Sequence, residues 1–295
     1  MVLGQKGAVG IVGLGIMGGS FAQNLVAAGW RVIGFDIAPE RRRAMVRAGV
    51  EIAADAGEVA RKAKTIITSL PNPKALAATV ETIVKAKVPR RVIVEASTFT
   101  LEDKTAAEAK LRKAGHVMLD CPMSGTGAQA KVKDLVVYAS GDTGEIRKLK
   151  TMFAGFTRAV HDVGAFGNGS RMKYVANLLV AIHNVASAEA MVLGIKAGLP
   201  PQLIFDLIKT GAGNSRIFEL RGPMMAKGVY TPPTATMHVL QKDSAIIADF
   251  ARSLGVSTPM LAAAAPLYDE AEAQGYAEED VGAVHAVLAR RAGLR

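Results

Sequence analysis

The sequence predicts an α/β fold: a doubly wound, mostly parallel sheet over residues 1–169, followed by an all-helical C-terminal domain over 170–295, joined through a long interdomain helix. Short apolar runs alternate with helical segments through the first half, and the first of them opens into a glycine-rich turn. Past Gly169 strand signals cease, and a long Ala-, Val- and Leu-rich helical stretch begins. Strands alternating with helices imply a parallel sheet covered on both faces.

From Ala8 an apolar run leads through that turn into a helical stretch to about Ala28, and a second apolar run, 31–36, completes a βαβ unit. Strand-like runs at 65–70, 91–95, 116–119 and 135–140 alternate with helical segments at 77–86 and 102–114. The stretch 170–196 reads as one helix, ended by Gly198 and Pro200 and expected to form the wall between the domains. Helices at 201–210, 216–226, 238–253, 259–274 and 279–290 complete the second domain.

Half of the 295 residues are hydrophobic and 21% are charged, a balance typical of packed globular proteins. The 36 Lys and Arg against 26 Asp and Glu leave a net charge of +10, which favours anionic partners such as phosphorylated cofactors and carboxylates. Basic residues cluster only at Arg41–Arg43 and at Arg290, Arg291 and Arg295, and aromatics are only 5%, so no nucleic-acid partner is expected. The single cysteine, Cys121, excludes an intrachain disulfide framework and Cys-based zinc sites. His161, His183, His238 and His285 lack metal-ligand spacing, so no metal is expected. Residues 1–7 run into the first strand without a secretory pattern, and no apolar run reads as long enough to cross a membrane. These features predict a cytoplasmic protein without a membrane partner.

Gly13-Leu14-Gly15-Ile16-Met17-Gly18 fits G-x-G-x-x-G between a strand and a helix, the context of a Rossmann-type dinucleotide site. Gly13 permits the tight turn, Gly15 lets backbone approach a pyrophosphate, and Gly18 lets helix and strand pack closely. The helix N-terminus then offers N–H groups to phosphates. Asp36 ends the second strand, where a carboxylate can bind ribose hydroxyls and repel a 2′-phosphate. That favours NAD; Arg41–Arg43 leave NADP possible, although they lie about a turn into the next helix. Leu70-Pro71 and Ser97-Thr98 follow strand ends, where doubly wound sheets bind ligands, although Ser97 or Thr98 equally reads as a helix cap.

Asp120-Cys121-Pro122-Met123-Ser124-Gly125-Thr126-Gly127 follows a further strand, and its amides and the Ser124 hydroxyl can be aimed at a carboxylate. Cys121 reads as a packed side chain rather than a nucleophile. On the long helix, Lys173 and Asn177 are four residues apart and share a face, with Asn184 returning close to it. Polar side chains on so apolar a helix point to a polar cleft, the alternative being a lysine that snorkels to solvent. Lys242-Asp243 can deliver a second cation.

In this order the motifs resemble those of the β-hydroxyacid dehydrogenase family, which includes 3-hydroxyisobutyrate dehydrogenase, tartronate semialdehyde reductase and L-threonate dehydrogenase. The likeness runs from about Ala8 to Leu288. It implies a catalytic lysine at Lys173, substrate contacts from Ser124, Gly125 and Asn177, and cofactor contacts from Leu70, Pro71, Thr98 and Lys242. It also implies a homodimer or homotetramer. Two positions depart from the family pattern: Thr126 stands where a second glycine is frequent, and Cys121 where alanine is frequent. Phe218-Glu219-Leu220-Arg221 with Tyr230-Thr231-Pro232 looks more like the members acting on four-carbon sugar acids.

The chemistry expected is hydride transfer between NAD(H) and a small 3-hydroxy acid. The substrate carboxylate is held by Ser124, Gly125 and Thr126, Lys173 exchanges the hydroxyl proton, and Asn177 orients the group. The other readings are an imine reductase of similar architecture and a non-catalytic nucleotide-binding scaffold.

Overall fold

The computed structural model describes residues 6–294. The expectation for the N-terminal segment therefore falls partly outside the described residues, at 1–5, and so does that for Arg295. By contacts the chain divides into two compact units, Met1–Lys173 and Tyr174–Arg295.

In the first unit, β1 (Ala8–Val12), α1 (Ile16–Ala27), β2 (Arg31–Phe35), α2 (Pro39–Arg47), β3 (Glu51–Ile52), α3 (Ala56–Lys62), β4 (Thr65–Thr68), α4 (Pro73–Lys85), β5 (Val92–Glu95), α5 (Leu101–Lys113) and β6 (Val117–Asp120) follow in strict alternation. The six strands form one parallel sheet in the order β3-β2-β1-β4-β5-β6. Its central strands are buried on both faces, with Ile66, Ile67, Ile93 and Val94 fully enclosed, which is why they read as unbroken apolar runs. Asp55, Asn72 and Thr100 cap α3, α4 and α5 through their side chains. Strand order reverses beside β1, and the carboxyl ends of β1 and β4 at such a point are where doubly wound sheets bind ligands.

The run at 135–140, expected to extend this sheet, belongs to a second one. β7 (Met123–Ser124), α6 (Gly127–Lys131), β8 (Val136–Ala139), α7 (Thr143–Lys148), α8 (Lys150–Phe153) and β9 (Ala159–Asp162) follow β6, and β7, β8 and β9 pair as a three-stranded sheet. Pro122 has no N–H to continue a ladder, and the chain turns away there. A bridge between Asp120 and Ser140 links the two sheets. Phe153 and Phe156 pack beside Phe21 of α1, the Phe21–Phe156 ring centroids 4.9 Å apart.

α9 (Asn168–Lys196) runs from the first unit into the second. It is long and apolar enough to cross a membrane by length and composition, contrary to the sequence expectation. Only 33% of its most apolar window is buried, but Tyr174, Asn177, Ala181, Asn184, Ala188 and Met191 form a buried stripe at three- and four-residue spacing. α10 (Pro201–Ile208), α11 (Arg216–Lys227), α12 (Met237–Ser253), α13 (Pro259–Ala271) and α14 (Val284–Arg291) complete the second unit. Tyr268 on α13 donates its hydroxyl to the Ala181 carbonyl at 2.6 Å, tying α13 to α9. Besides α10, which stops two residues early at Ile208, two helices are clearly shorter than their periodicity predicts. α13 gives way to a wide turn containing Gly275 at φ +96°, and Asp280 caps a single 3-10 turn ahead of α14.

Candidate active site

The glycine turn is built as its pattern requires. Gly13 has φ +92°, and a Cβ there would collide with the Ser69 carbonyl oxygen. A Cβ on Gly18 would collide with the Gly13 carbonyl oxygen, so the approach of the turn to the end of β4 demands glycine at 13 and the approach of α1 to the turn demands it at 18. Gly15 differs: its missing side chain faces open space, with only the Arg41 guanidinium near, at 3.6 Å. Gly15 also heads α1 with no side-chain cap, leaving the first amides of a twelve-residue helix available. An open backbone surface over uncapped amides fits a dinucleotide pyrophosphate. Leu14 is buried, Met17 half-buried and Ile16 exposed.

Asp36 lies at the end of β2 with its carboxylate almost enclosed. Oδ2 accepts the Leu14 amide at 2.7 Å and Oδ1 the Ala38 amide at 2.8 Å, so the side chain joins the glycine turn to the start of α2. Arg41 reaches back to it, Nη1 standing 3.5 Å from Oδ2. This corrects the sequence expectation that the arginines lie away from Asp36: one turn of helix brings Arg41 beside both the carboxylate and Gly15. A guanidinium of the kind that can meet a phosphate therefore stands beside a carboxylate that would repel one.

Leu70, Pro71, Ser97 and Thr98 follow β4 and β5, whose ends lie side by side. The Leu70 amide donates to Ser97 Oγ at 2.9 Å, and the Ser97 amide donates to Glu95 Oε1 at 2.9 Å, so Ser97 couples the two loops and caps no helix. Beyond β6, Ser124 sits in β7 and Gly125 turns the chain at φ +132°, where Leu135 leaves no room for a Cβ. Thr126 caps α6: its hydroxyl accepts the Gln129 amide, and Gln129 Oε1 accepts the Thr126 amide. Cys121 is fully buried, and burial together with the Asp120 charge pushes its thiol well above the usual range. It is a packed side chain.

The amino end of α9 approaches the ends of β6 and β8 so closely that a Cβ on Gly169 would collide with the Tyr138 carbonyl oxygen and lie 2.6 Å from that of Asp120. Asp120 receives this end: Oδ2 accepts the Ser170 amide at 2.7 Å and Oδ1 the Ser170 hydroxyl at 2.9 Å. Lys173 follows one turn later, half-buried. In the second unit the Asn177 amide donates to Asp243 Oδ2 at 2.7 Å, and Lys242 Nζ stands 3.0 Å from Asp243 Oδ1. One buried carboxylate thus fixes both the amide on α9 and the cation on α12.

Asp243, Glu95 and Asp120 are the residues that sequence reasoning passed over as site components. The sequence does carry a signal for the last two: each ends an apolar strand, and a carboxylate there is enclosed unless it finds a partner. Arg221, in the segment that looked like the sugar-acid members, is committed elsewhere. It is 2% exposed and pairs with Asp280 at 2.7 Å. Tyr230 of the same comparison bonds His285 Nδ1 at 2.8 Å.

Known proteins are similar to this chain over nearly its whole length. Residues 8–164 match the family model described as the NAD binding domain of 6-phosphogluconate dehydrogenase. Residues 167–288 match the one described as the NAD-binding domain of NADP-dependent 3-hydroxyisobutyrate dehydrogenase. The chain is 32% identical over 280 residues to an L-threonate dehydrogenase of Cupriavidus necator, covering 94% of each chain. It is 29% identical to a probable 3-hydroxyisobutyrate dehydrogenase of Mycobacterium bovis, covering 96% of this chain and 98% of that one. The crystal structure of a 3-hydroxyisobutyrate dehydrogenase from Salmonella typhimurium superposes with a TM-score of 0.86 at 30% identity, covering 95% of this chain and 99% of that one. The chain belongs to the β-hydroxyacid dehydrogenase family, whose members are NAD(P)-dependent oxidoreductases acting on CH–OH groups.

Proposed function

We propose that the protein interconverts a small 3-hydroxy acid and its carbonyl form, with Lys173 as general acid and base and NAD(H) as the preferred cofactor. The observation that carries this reading is the polar face of α9: Lys173 and Asn177 stand four residues apart, and Asp243 fixes the Asn177 amide at 2.7 Å. A buried amide held by a carboxylate has a set orientation, which suits a group that positions a substrate hydroxyl. The relatives named for L-threonate and 3-hydroxyisobutyrate support a small hydroxylated carboxylate as substrate.

In this mechanism the Ser124 hydroxyl and the Gly125 backbone hold the substrate carboxylate. Thr126 contributes by ordering that loop through its cap on α6. When bound, the nicotinamide supplies the hydride acceptor for oxidation and the donor for reduction. Lys173 Nζ takes the hydroxyl proton as the alcohol is oxidised, and its ammonium returns one to the developing alkoxide in reduction. Asn177 aligns the hydroxyl with that amine. The glycine turn over residues 13–18, with Leu70, Pro71, Ser97, Thr98 and Lys242, holds the cofactor, and Asp36 receives the adenosine ribose. The same reading makes the protein a cytoplasmic homodimer or homotetramer, a state that light scattering measures directly.

The test is Lys173→Ala. Turnover followed by NADH absorbance with L-threonate and 3-hydroxyisobutyrate should fall at least about a thousandfold while NADH affinity is kept. Wild-type turnover in that variant would sink the assignment.

A further inference from the structure

Lys104 is fully buried in α5, on a helix whose sequence otherwise reads as a solvated face. Its Nζ lies 2.7 Å from Glu95 Oε2 and 2.7 Å from Asp120 Oδ1, and both carboxylates are as completely enclosed as the amine. Glu95 and Asp120 are register partners at the ends of β5 and β6, so the parallel pairing itself sets two carboxylates side by side. Burial alone would drive the proton off the Lys104 amine. The two facing carboxylates outweigh it and hold the ammonium charged, well above the usual lysine range. Cys121 is the other titratable group against this cluster.

From each carboxylate one arm leads to residues of the proposed site. Glu95 accepts the Ser97 amide through Oε1, and Ser97 in turn accepts the Leu70 amide, so this arm holds both loops assigned to the cofactor. Asp120 accepts the amide and hydroxyl of Ser170, and Ser140 donates to it at 3.3 Å while accepting the Gly169 amide at 3.0 Å, so this arm holds the amino end of α9. Gly169 sits too tightly against the strand ends to admit a side chain, so the helix start is closely seated there.

We propose that Lys104 is a positioning residue: by bridging Glu95 and Asp120 its ammonium locks the cofactor loops and the start of α9 into one frame, setting where Lys173 is presented. The proposal rests on the dehydrogenase reading for its turnover effect but not for its effect on cofactor affinity. A brace that served folding alone would lower stability and leave kcat per folded molecule and NADH affinity untouched. A positioning brace moves both, because displacement of a reacting group by about 1 Å costs up to about a hundredfold in rate.

The test uses two variants of the full chain. Lys104→Met combined with Glu95→Gln removes one charge of each sign, leaving the net charge of the cluster unchanged. With the fold verified by its thermal midpoint, NADH affinity by fluorescence titration should fall several-fold, and kcat with L-threonate or 3-hydroxyisobutyrate at least about tenfold. Ser170→Ala deletes only the hydroxyl on the Asp120 arm, a change too small to unfold the protein. It should lower kcat several-fold with NADH affinity at the wild-type value. Wild-type NADH affinity in the folded double variant, or wild-type kcat in Ser170→Ala, overturns the proposal. Failure of the dehydrogenase reading shows separately, as unchanged turnover in Lys173→Ala.

Discussion

Each unit encloses a cation against carboxylate, and the two clusters do different work. In the second unit Arg221 meets Asp280 at 2.7 Å, and Asp280 also accepts the Thr234 amide and hydroxyl and the Gly282 amide. These bonds tie α11 to the segment before α12 and to the turn before α14, and reach no residue assigned to chemistry. In the first unit Lys104 meets two carboxylates at strand ends, and the groups beyond them carry cofactor loops and the start of α9. The same buried pairing therefore serves cohesion alone in one place, and cohesion with alignment in the other. What separates them is position: parallel strands end where a doubly wound sheet binds its ligands, and helix packing has no such edge.

Removing either cation tests that contrast with the largest effect. Lys104→Met and Arg221→Met each leave enclosed carboxylates without their cation, and each should cost about 3–5 kcal/mol, read as a lower urea midpoint. NADH affinity of the folded fraction should fall only in Lys104→Met. A comparable loss in Arg221→Met would erase the distinction.

A smaller effect separates cohesion from alignment inside the glycine turn. Gly13→Ala puts a methyl group against the Ser69 carbonyl at a positive φ and should destabilise by about 1–3 kcal/mol. Gly15→Ala meets open space, so stability should stay within about 0.5 kcal/mol while NADH affinity drops. Arg41→Ala should weaken NADP binding more than NAD binding, measured by titration with each. Equal losses would remove Arg41 from the 2′-phosphate.

The smallest effect is on pH dependence. Burial holds the His285 imidazole below its usual range, so the unfolded chain takes up a proton near pH 6.5 that the folded one refuses. Stability is full above that value and falls as pH drops through it. His116, lowered by burial and by Arg91, adds a share from the first unit, and Asp280, held low chiefly by Arg221 against its burial, adds another at more acidic pH. Lys104 is raised, so its contribution is present below about pH 10.5, the unfolded lysine range, and is lost as pH climbs towards the higher folded value. His285→Gln should flatten the acid limb of thermal midpoints between about pH 7 and 5 and leave the alkaline limb in place.

Much of this was legible in the sequence. The βαβ start, the glycine turn and the long helix are extended patterns whose meaning is local, and they stand at Ala8–Val12, Ile16–Ala27 and Asn168–Lys196. The three-stranded sheet was not legible, because β7 has two residues and its pairing depends on where Pro122 turns the chain. Lys104 was hidden for a similar reason. Among the charged residues of α5 nothing marks it, and its burial follows from a strand register that brings Glu95 beside Asp120. Arg41 shows the converse: its helix was foreseen, but the reach of its side chain back to Asp36 was not.

The lone thiol of the chain has a practical consequence. Sealed behind the strand ends with its proton held tightly, Cys121 should ignore iodoacetamide while the sheet is intact and be alkylated once it opens. Mass spectrometry of a protein that carries one cysteine thiol then follows the opening of the nucleotide-binding half without an engineered label.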